Sequence, residues 1–247
     1  MKFLMVVFLA LFGSSYVEAK NDIKVIAFDA FPVFDPRPIF KTVQELFPEK
    51  ADKLVEVWQA KQFSYTWLRT SGEQYKDFYQ VTEDALVYAA KNVKVDLTEK
   101  QKQQIMGEYL KLKPWPDAMD ALQKLKDKKY KITFLSNFTE EMLKSNLKSS
   151  KLEKLFSPLL LSTDLAKAFK PSPKAYNLAI EHFGVKKKEV LFVAFAPWDA
   201  AGAKWFGYPT FWVNRSSFPP EELGAEVDGM GKNLEDLVRY METTSEK

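Results

Sequence analysis

Ile23-Lys24-Val25-Ile26-Ala27-Phe28-Asp29-Ala30-Phe31-Pro32 is a short apolar run that ends at a carboxylate. A strand buried on both faces of a parallel sheet reads as a near-continuous apolar run, and open α/β sheets bind ligands beyond the carboxyl ends of their strands. Asp29 is therefore a candidate nucleophile aimed at a site. An aspartate ending a strand is also an ordinary turn residue, so the rest of the chain must decide between the two.

Downstream, Ile132-Thr133-Phe134-Leu135, Pro158-Leu159-Leu160-Leu161, Val190-Leu191-Phe192-Val193 and Thr210-Phe211-Trp212-Val213 are further short apolar runs, each ending at polar or turn-prone residues. Helical patterns lie between them, such as Ala118, Ala121, Leu122 and Leu125, or Ala175, Leu178, Ala179 and Phe183. Alternating strand and helix predicts a doubly wound α/β core with a parallel sheet. The interval from Asp35 to Leu112 has no convincing strand and carries amphipathic stretches, including Leu54, Val57, Trp58, Lys61, Tyr65 and Leu68 at helical spacing. Pro114-Trp115-Pro116 marks the return to the core, because proline cannot continue a helix and restricts its predecessor. The expected organisation is a core from residues 20–34 and 113–247 with a helical cap, 35–112, inserted after the first strand.

Residues 1–19 form a separate unit. Lys2 supplies charge, Phe3 to Phe12 is unbroken and apolar, and Val17-Glu18-Ala19 offers a small-residue cleavage pattern, which together predict a secretory signal peptide. The apolar run is about half the roughly 20 residues that a membrane-spanning helix requires. A periplasmic or secreted protein, with no membrane partner after cleavage, is the expectation. The chain contains no cysteine, which excludes thiol catalysis, cysteine-bound zinc and disulfide stapling. The single histidine, His182, lies at a predicted helix end with nothing near it in sequence to complete a triad. The net charge of +3 is mild, and Lys126 to Lys131 and Lys186-Lys187-Lys188 read as solvated loops beside acidic neighbours. No nucleic-acid partner is expected. No patch demands a dimer, and a homodimer stays open.

Polar residues recur at the ends of successive core strands: Asp29, Ser136-Asn137, Lys170 in Phe169-Lys170-Pro171, and Asp199 after Val193. Taken singly, each has an ordinary reading: Lys170 as a loop lysine, Tyr176 as a core residue, Asp199 as a helix cap. Their order, together with Lys61 to Arg69, Val81 to Leu86, Tyr176, Trp198-Asp199-Ala200-Ala201-Gly202-Ala203, Phe206-Gly207-Tyr208-Pro209 and Trp212 to Arg215, resembles the haloacid dehalogenase superfamily. Within it, the chain is most similar to the (S)-2-haloacid dehalogenases, from Ile23 to about Val238.

The resemblance implies a metal-independent hydrolysis of short 2-halo carboxylic acids, with no cofactor. Asp29 would displace the halide and form an aspartyl ester, which water would hydrolyse to a 2-hydroxy acid. Lys170 would lie near Asp29 and favour its charged form. Ser136 and adjacent amides would hold the substrate carboxylate, and Asn137 would order the loop. Asp199 would orient Lys170 and the hydrolytic water, with Tyr176 in support. Phe31, Gln59, Phe63, Phe78 and Trp198 would contact the substrate. The superfamily's magnesium phosphatases carry a carboxylate two residues after the nucleophile and another four residues before the aspartate matched by Asp199. Those places hold Phe31 and Phe195, which offer magnesium no hard oxygen ligand.

Several positions depart from the dehalogenase pattern. An arginine that the family places beside the departing halide is Gln59; a glycine and a threonine after Phe31 are Pro32 and Val33; a serine and an asparagine near Phe195 are Ala194 and Ala196. Arg37 and Arg69 are candidates to replace the missing charge. These departures imply a weakened dehalogenase or one of altered preference. They keep open an idle relative acting as a small-acid binding or interaction protein and, third, a phosphatase.

Overall fold

The computed structural model of the chain describes residues 23–245, so the expected signal peptide lies outside the described residues. Its core is a parallel sheet of β1 (Val25–Phe28), β2 (Lys131–Ser136), β3 (Leu161–Ser162), β4 (Val190–Ala194), β5 (Thr210–Val213) and β6 (Gly229–Gly231), in the order β3-β2-β1-β4-β5-β6. Successive side chains of a strand point to opposite faces. In β1, Ile26 and Phe28 accordingly enter the core shared with α5 (Ala118–Asp127), α6 (Glu140–Ser150) and α9 (Leu234–Ser245). Val25 and Ala27 enter the other core, with α7 (Pro173–Phe183) and α8 (Pro197–Phe206). This is a doubly wound α/β fold, and burial on both faces is why β1 carries no polar side chain.

β1 lies between β2 and β4, where the direction of strand addition reverses. Crevices at such switch points are the usual ligand sites of open α/β sheets. Asp29 stands one residue past β1, its backbone N–H donating to Val193 O at 3.0 Å.

Between β1 and β2 the chain forms α1 (Arg37–Leu46), α2 (Ala51–Ser71), α3 (Phe78–Val93) and α4 (Glu99–Glu108). The way out and the way back run side by side: Phe34 bridges Pro114, Asp35 N–H donates to Lys113 O at 2.9 Å, and Trp115 N–H donates to Val33 O at 2.9 Å. Asn146 of α6 fastens this joint, accepting from Leu112 N–H (2.7 Å) and donating to Tyr109 O (2.8 Å). Asp77 caps α3 through Gln80 N–H, and Thr98 and Gln101 form a reciprocal capping box on α4.

Four details differ from the sequence reading. Only the end of Pro158 to Leu161 joins the sheet; before it, the Leu159 carbonyl accepts from the Thr133 hydroxyl at 2.7 Å. β6 was not expected, since it has no apolar run. Its Gly229 is needed for close approach: a Cβ there would come within 2.7 Å of Phe211 and 2.8 Å of Tyr240. The buried stripe of α2 runs through Leu54, Trp58 and Thr66, four and then eight residues apart, which leaves Leu68 exposed. Lys126 and Lys131 are not loop residues, for they close α5 and open β2. Among the described residues, no helix is long and apolar enough to cross a membrane.

Candidate active site

A cavity of about 230 Å³ lies between the cap and the carboxyl ends of β1, β2 and β4. Asp29 forms its floor. Lys170 Nζ donates to Asp29 Oδ1 at 2.9 Å and to Asp199 Oδ2 at 2.6 Å, joining the two carboxylates through one ammonium. The Ser136 hydroxyl also donates to Asp29 Oδ1, at 3.1 Å, whereas Oδ2 receives only the longer 3.3 Å bond from Phe31 N–H. Oδ2 is thus the less engaged oxygen. The Asp29 side chain keeps 14% of its surface exposed, against 1% for Lys170 and 2% for Asp199.

Each member is held from behind. Asn137 accepts from Lys170 N–H at 3.0 Å, tying the loop after β3 to the end of β2. The Lys170 ammonium lies 4.9 Å from the centre of the Phe192 ring. Tyr176 of α7 donates its hydroxyl to Asp199 Oδ1 at 2.7 Å, and its carbonyl accepts from Tyr208 at 2.5 Å. Gly202 allows this arrangement, since a Cβ there would stand 2.6 Å from the Tyr176 hydroxyl oxygen. Asp199 occupies the first turn of α8, where a negative charge complements the helix dipole, but its side chain serves Lys170 and Tyr176 rather than a cap.

Burial opposes charge at Asp199, Lys170 and Tyr176. It pushes the Asp199 carboxyl up to about 6, although the adjacent Lys170 ammonium pulls the other way. For Lys170 burial acts downward, and the attraction of Asp199 and Asp29 overcomes it, so the ammonium is held charged above its ordinary range. The buried Tyr176 hydroxyl is raised, first by burial and then by Asp199.

Phe31, Gln59, Phe63, Phe78 and Trp198 all line the cavity. Phe31 packs edge-on against Phe138 at 5.2 Å and tilted against Phe195 at 5.7 Å, while Phe78 stacks on Phe138. Phe63 of the cap and Trp198 of the core meet at 5.2 Å across the interdomain crevice. Gln59 reaches the cavity with no hydrogen-bond partner among the described residues. Neither proposed replacement for its missing charge does so. Arg37 pairs with Asp35 and covers Trp115, and Arg69 bonds to Asp84 and the Gln74 carbonyl. Both guanidiniums already have nearer partners, and each belongs to the frame.

Ser136 lines the cavity as well, with its hydroxyl hydrogen-bonded to Asp29 Oδ1. Sequence reading missed Gln62, Thr66 and Phe138, which also line the site. Gln62 donates to Thr82 Oγ1 at 2.7 Å and to the Tyr109 hydroxyl at 3.2 Å. Its position one helical turn beyond Gln59 was the available signal. Among the described residues, no group of three or more carboxylates or histidines is arranged to hold a metal ion. His182 is an exposed helix-end residue whose Nδ1 contacts the Leu178 carbonyl.

A helical cap over a parallel sheet, with a carboxylate-lysine-carboxylate array at the strand ends, defines a capped hydrolase. The haloacid dehalogenase-like hydrolase profile matches residues 13–207. The chain is 37% identical over 207 residues to haloacetate dehalogenase H-2 of Moraxella sp. (strain B), covering 83% of this chain and 92% of that one. It is 34% identical over 226 residues to the (S)-2-haloacid dehalogenase of Pseudomonas sp. (strain YL), covering 91% and 97%. A solved L-2-haloacid dehalogenase from Xanthobacter autotrophicus with chloropropionic acid covalently bound superposes with a TM-score of 0.80 at 29% identity, covering 89% of this chain and 98% of that one. The chain belongs to the haloacid dehalogenase-like hydrolases and, within them, to the (S)-2-haloacid dehalogenase family.

Proposed function

We propose that this protein hydrolyses short 2-halo carboxylic acids through an ester on Asp29, without a metal. The observation that carries the reading is the single Lys170 ammonium shared by Asp29 and Asp199 beneath an aromatic-lined cavity. Asp29 Oδ2, the lightly held oxygen, attacks the carbon bearing the halogen in line, and the halide leaves with the bonding electrons. The ester carbonyl oxygen is then Oδ1, already facing Lys170 and Ser136, two donors aimed where negative charge develops when water adds. Asp199 takes the water's proton. The apolar wall excludes bulk solvent from the nucleophile. With Ser136 engaged by Asp29, the Asn137 side chain and nearby backbone amides are the groups left to bind the substrate carboxylate.

Phe31 and Phe195 flank the nucleophile with no oxygen donor, which favours displacement at carbon over magnesium-assisted phosphoryl transfer. Gln59, Ala194 and Ala196 favour a second reading, a catalytically idle small-acid binding protein. The N-terminal apolar stretch supports an exported protein.

Halide release from racemic 2-chloropropionate, with and without chelator, separates these readings. Chelator-insensitive release supports the dehalogenase. No release at high protein concentration supports the binding protein, and phosphate release restored by magnesium supports a phosphatase.

A further inference from the structure

We infer that in this chain hydrolysis of the Asp29 ester, not displacement of halide, limits turnover, so that the esterified protein accumulates. The inference rests on the reading above and adds which of the two steps is slow. A water molecule held in a protein site takes two to four polar partners. Beside the Asp29 carboxyl those partners are scarce. The Asp29 N–H bond to Val193 O sets the end of β4 alongside it, with Ala194 as its last residue and Phe195 and Ala196 following. Phe31 closes against Phe195 on the other side.

The polar side chains closest to the Asp29 carboxyl are already engaged, apart from the Asn137 amide N–H, assigned above to the substrate carboxylate. Ser136 donates to Asp29 and accepts from Phe138 N–H, and the Asn137 amide oxygen accepts from Lys170 N–H. Each Asp199 oxygen has one donor, Lys170 or Tyr176, which leaves room for a proton from water but adds no second anchor for it. The ester's polarised carbonyl is well provided for, whereas its attacking water is not. The first step needs no water, and Oδ2 stands ready for it.

In the first step the Oδ2–carbon bond forms as the carbon–halogen bond breaks, and halide departs with the electron pair. In the second, water oxygen bonds to Cγ and its proton passes to Asp199. The Cγ–O(alkyl) bond then breaks, the departing alkoxide recovers that proton, and the Asp29 carboxylic acid left behind loses its own proton to solvent, restoring the carboxylate. The second step is the same whichever halide has left. Bromide and iodide depart readily without a cation, so they expose the slow step.

The test is rapid-quench halide release from bromoacetate and iodoacetate by the full chain, with intact-mass spectra taken during turnover. The expected result is a burst of about one halide per site, followed by a steady rate at least about tenfold slower and equal for the two substrates. The spectra should show mainly the singly carboxymethylated protein. The absence of cysteine removes competing thiol alkylation, and Asp29→Asn should abolish both burst and adduct. Ala196→Asn, which adds a polar partner for water, should raise the steady rate and drain the adduct while leaving the burst rate unchanged. Linear release from an unmodified protein, or steady rates that differ between the halides, overturns the inference and leaves the proposed activity standing. No halide and no adduct at all overturns the proposed activity itself.

Discussion

Lys170 Nζ lies 2.9 Å from Asp29 Oδ1, an ion pair that closes 141 positions of sequence and sits beneath the cavity floor. Replacing the ammonium by a thioether of similar length, Lys170→Met, leaves two facing carboxylates without their shared cation. First-turnover halide release should fall by roughly 10³-fold, the range seen when one preorganised electrostatic group is removed. Lys170→Arg should not rescue it, because the planar guanidinium is no substitute for a compact point charge held between two oxygens. Single-turnover kinetics of both variants checks this.

In the proposed mechanism Asp199 sets the pH dependence. Burial holds its carboxyl at about 6, and it accepts a proton from water only as the carboxylate. Ester hydrolysis should therefore be constant well above that value and fall about tenfold per pH unit below it. The Tyr176 hydroxyl bonds to the charged form and pulls the value down, so Tyr176→Phe should move the inflection upward. A pH profile of the steady-state rate for both proteins measures the shift and its sign.

Gln59 reaches the cavity as a neutral amide. A charge-assisted hydrogen bond to a departing anion is about twice as strong as a neutral one. Gln59→Arg should raise chloride release from 2-chloropropionate by about tenfold and change release from the bromo analogue less. The chloro-to-bromo ratio of kcat/KM is the readout.

Asn146 is fully buried and serves the joint between cap and core through Leu112 N–H and Tyr109 O. Asn146→Ala leaves both without their partner, at a cost of about 2 kcal/mol. Thermal unfolding should shift down by about 4 to 8 °C, given the size of the domain.

Much of this architecture was legible in residue order. β1 and β4 are buried on both faces and so appear as apolar runs, and the residues that follow them meet in space because parallel strands place their carboxyl ends together. Asp29, Ser136 and Lys170 were therefore recognisable as one group from positions far apart. What escaped has physical reasons too. β6 is built on glycine where Phe211 and Tyr240 leave no room for a side chain, so it carries no hydrophobic pattern. Gln62 was overlooked because a polar residue in the cap reads as solvent-facing until Thr82 and Tyr109 are seen beside it. The Ser136–Asp29 hydrogen bond, and the partners that hold Arg37 and Arg69 away from the cavity, depend on side-chain contacts that no apolar periodicity encodes.

The origin of the oxygen delivered to the product tests the covalent role of Asp29 most directly. In a single turnover in heavy-oxygen water, with protein in excess over 2-chloropropionate, the label should appear in the Asp29 carboxylate of the digested protein and be absent from the released 2-hydroxy acid. Label in the hydroxy acid with none in Asp29 would mean that water attacks the substrate carbon itself, and the ester account would be wrong.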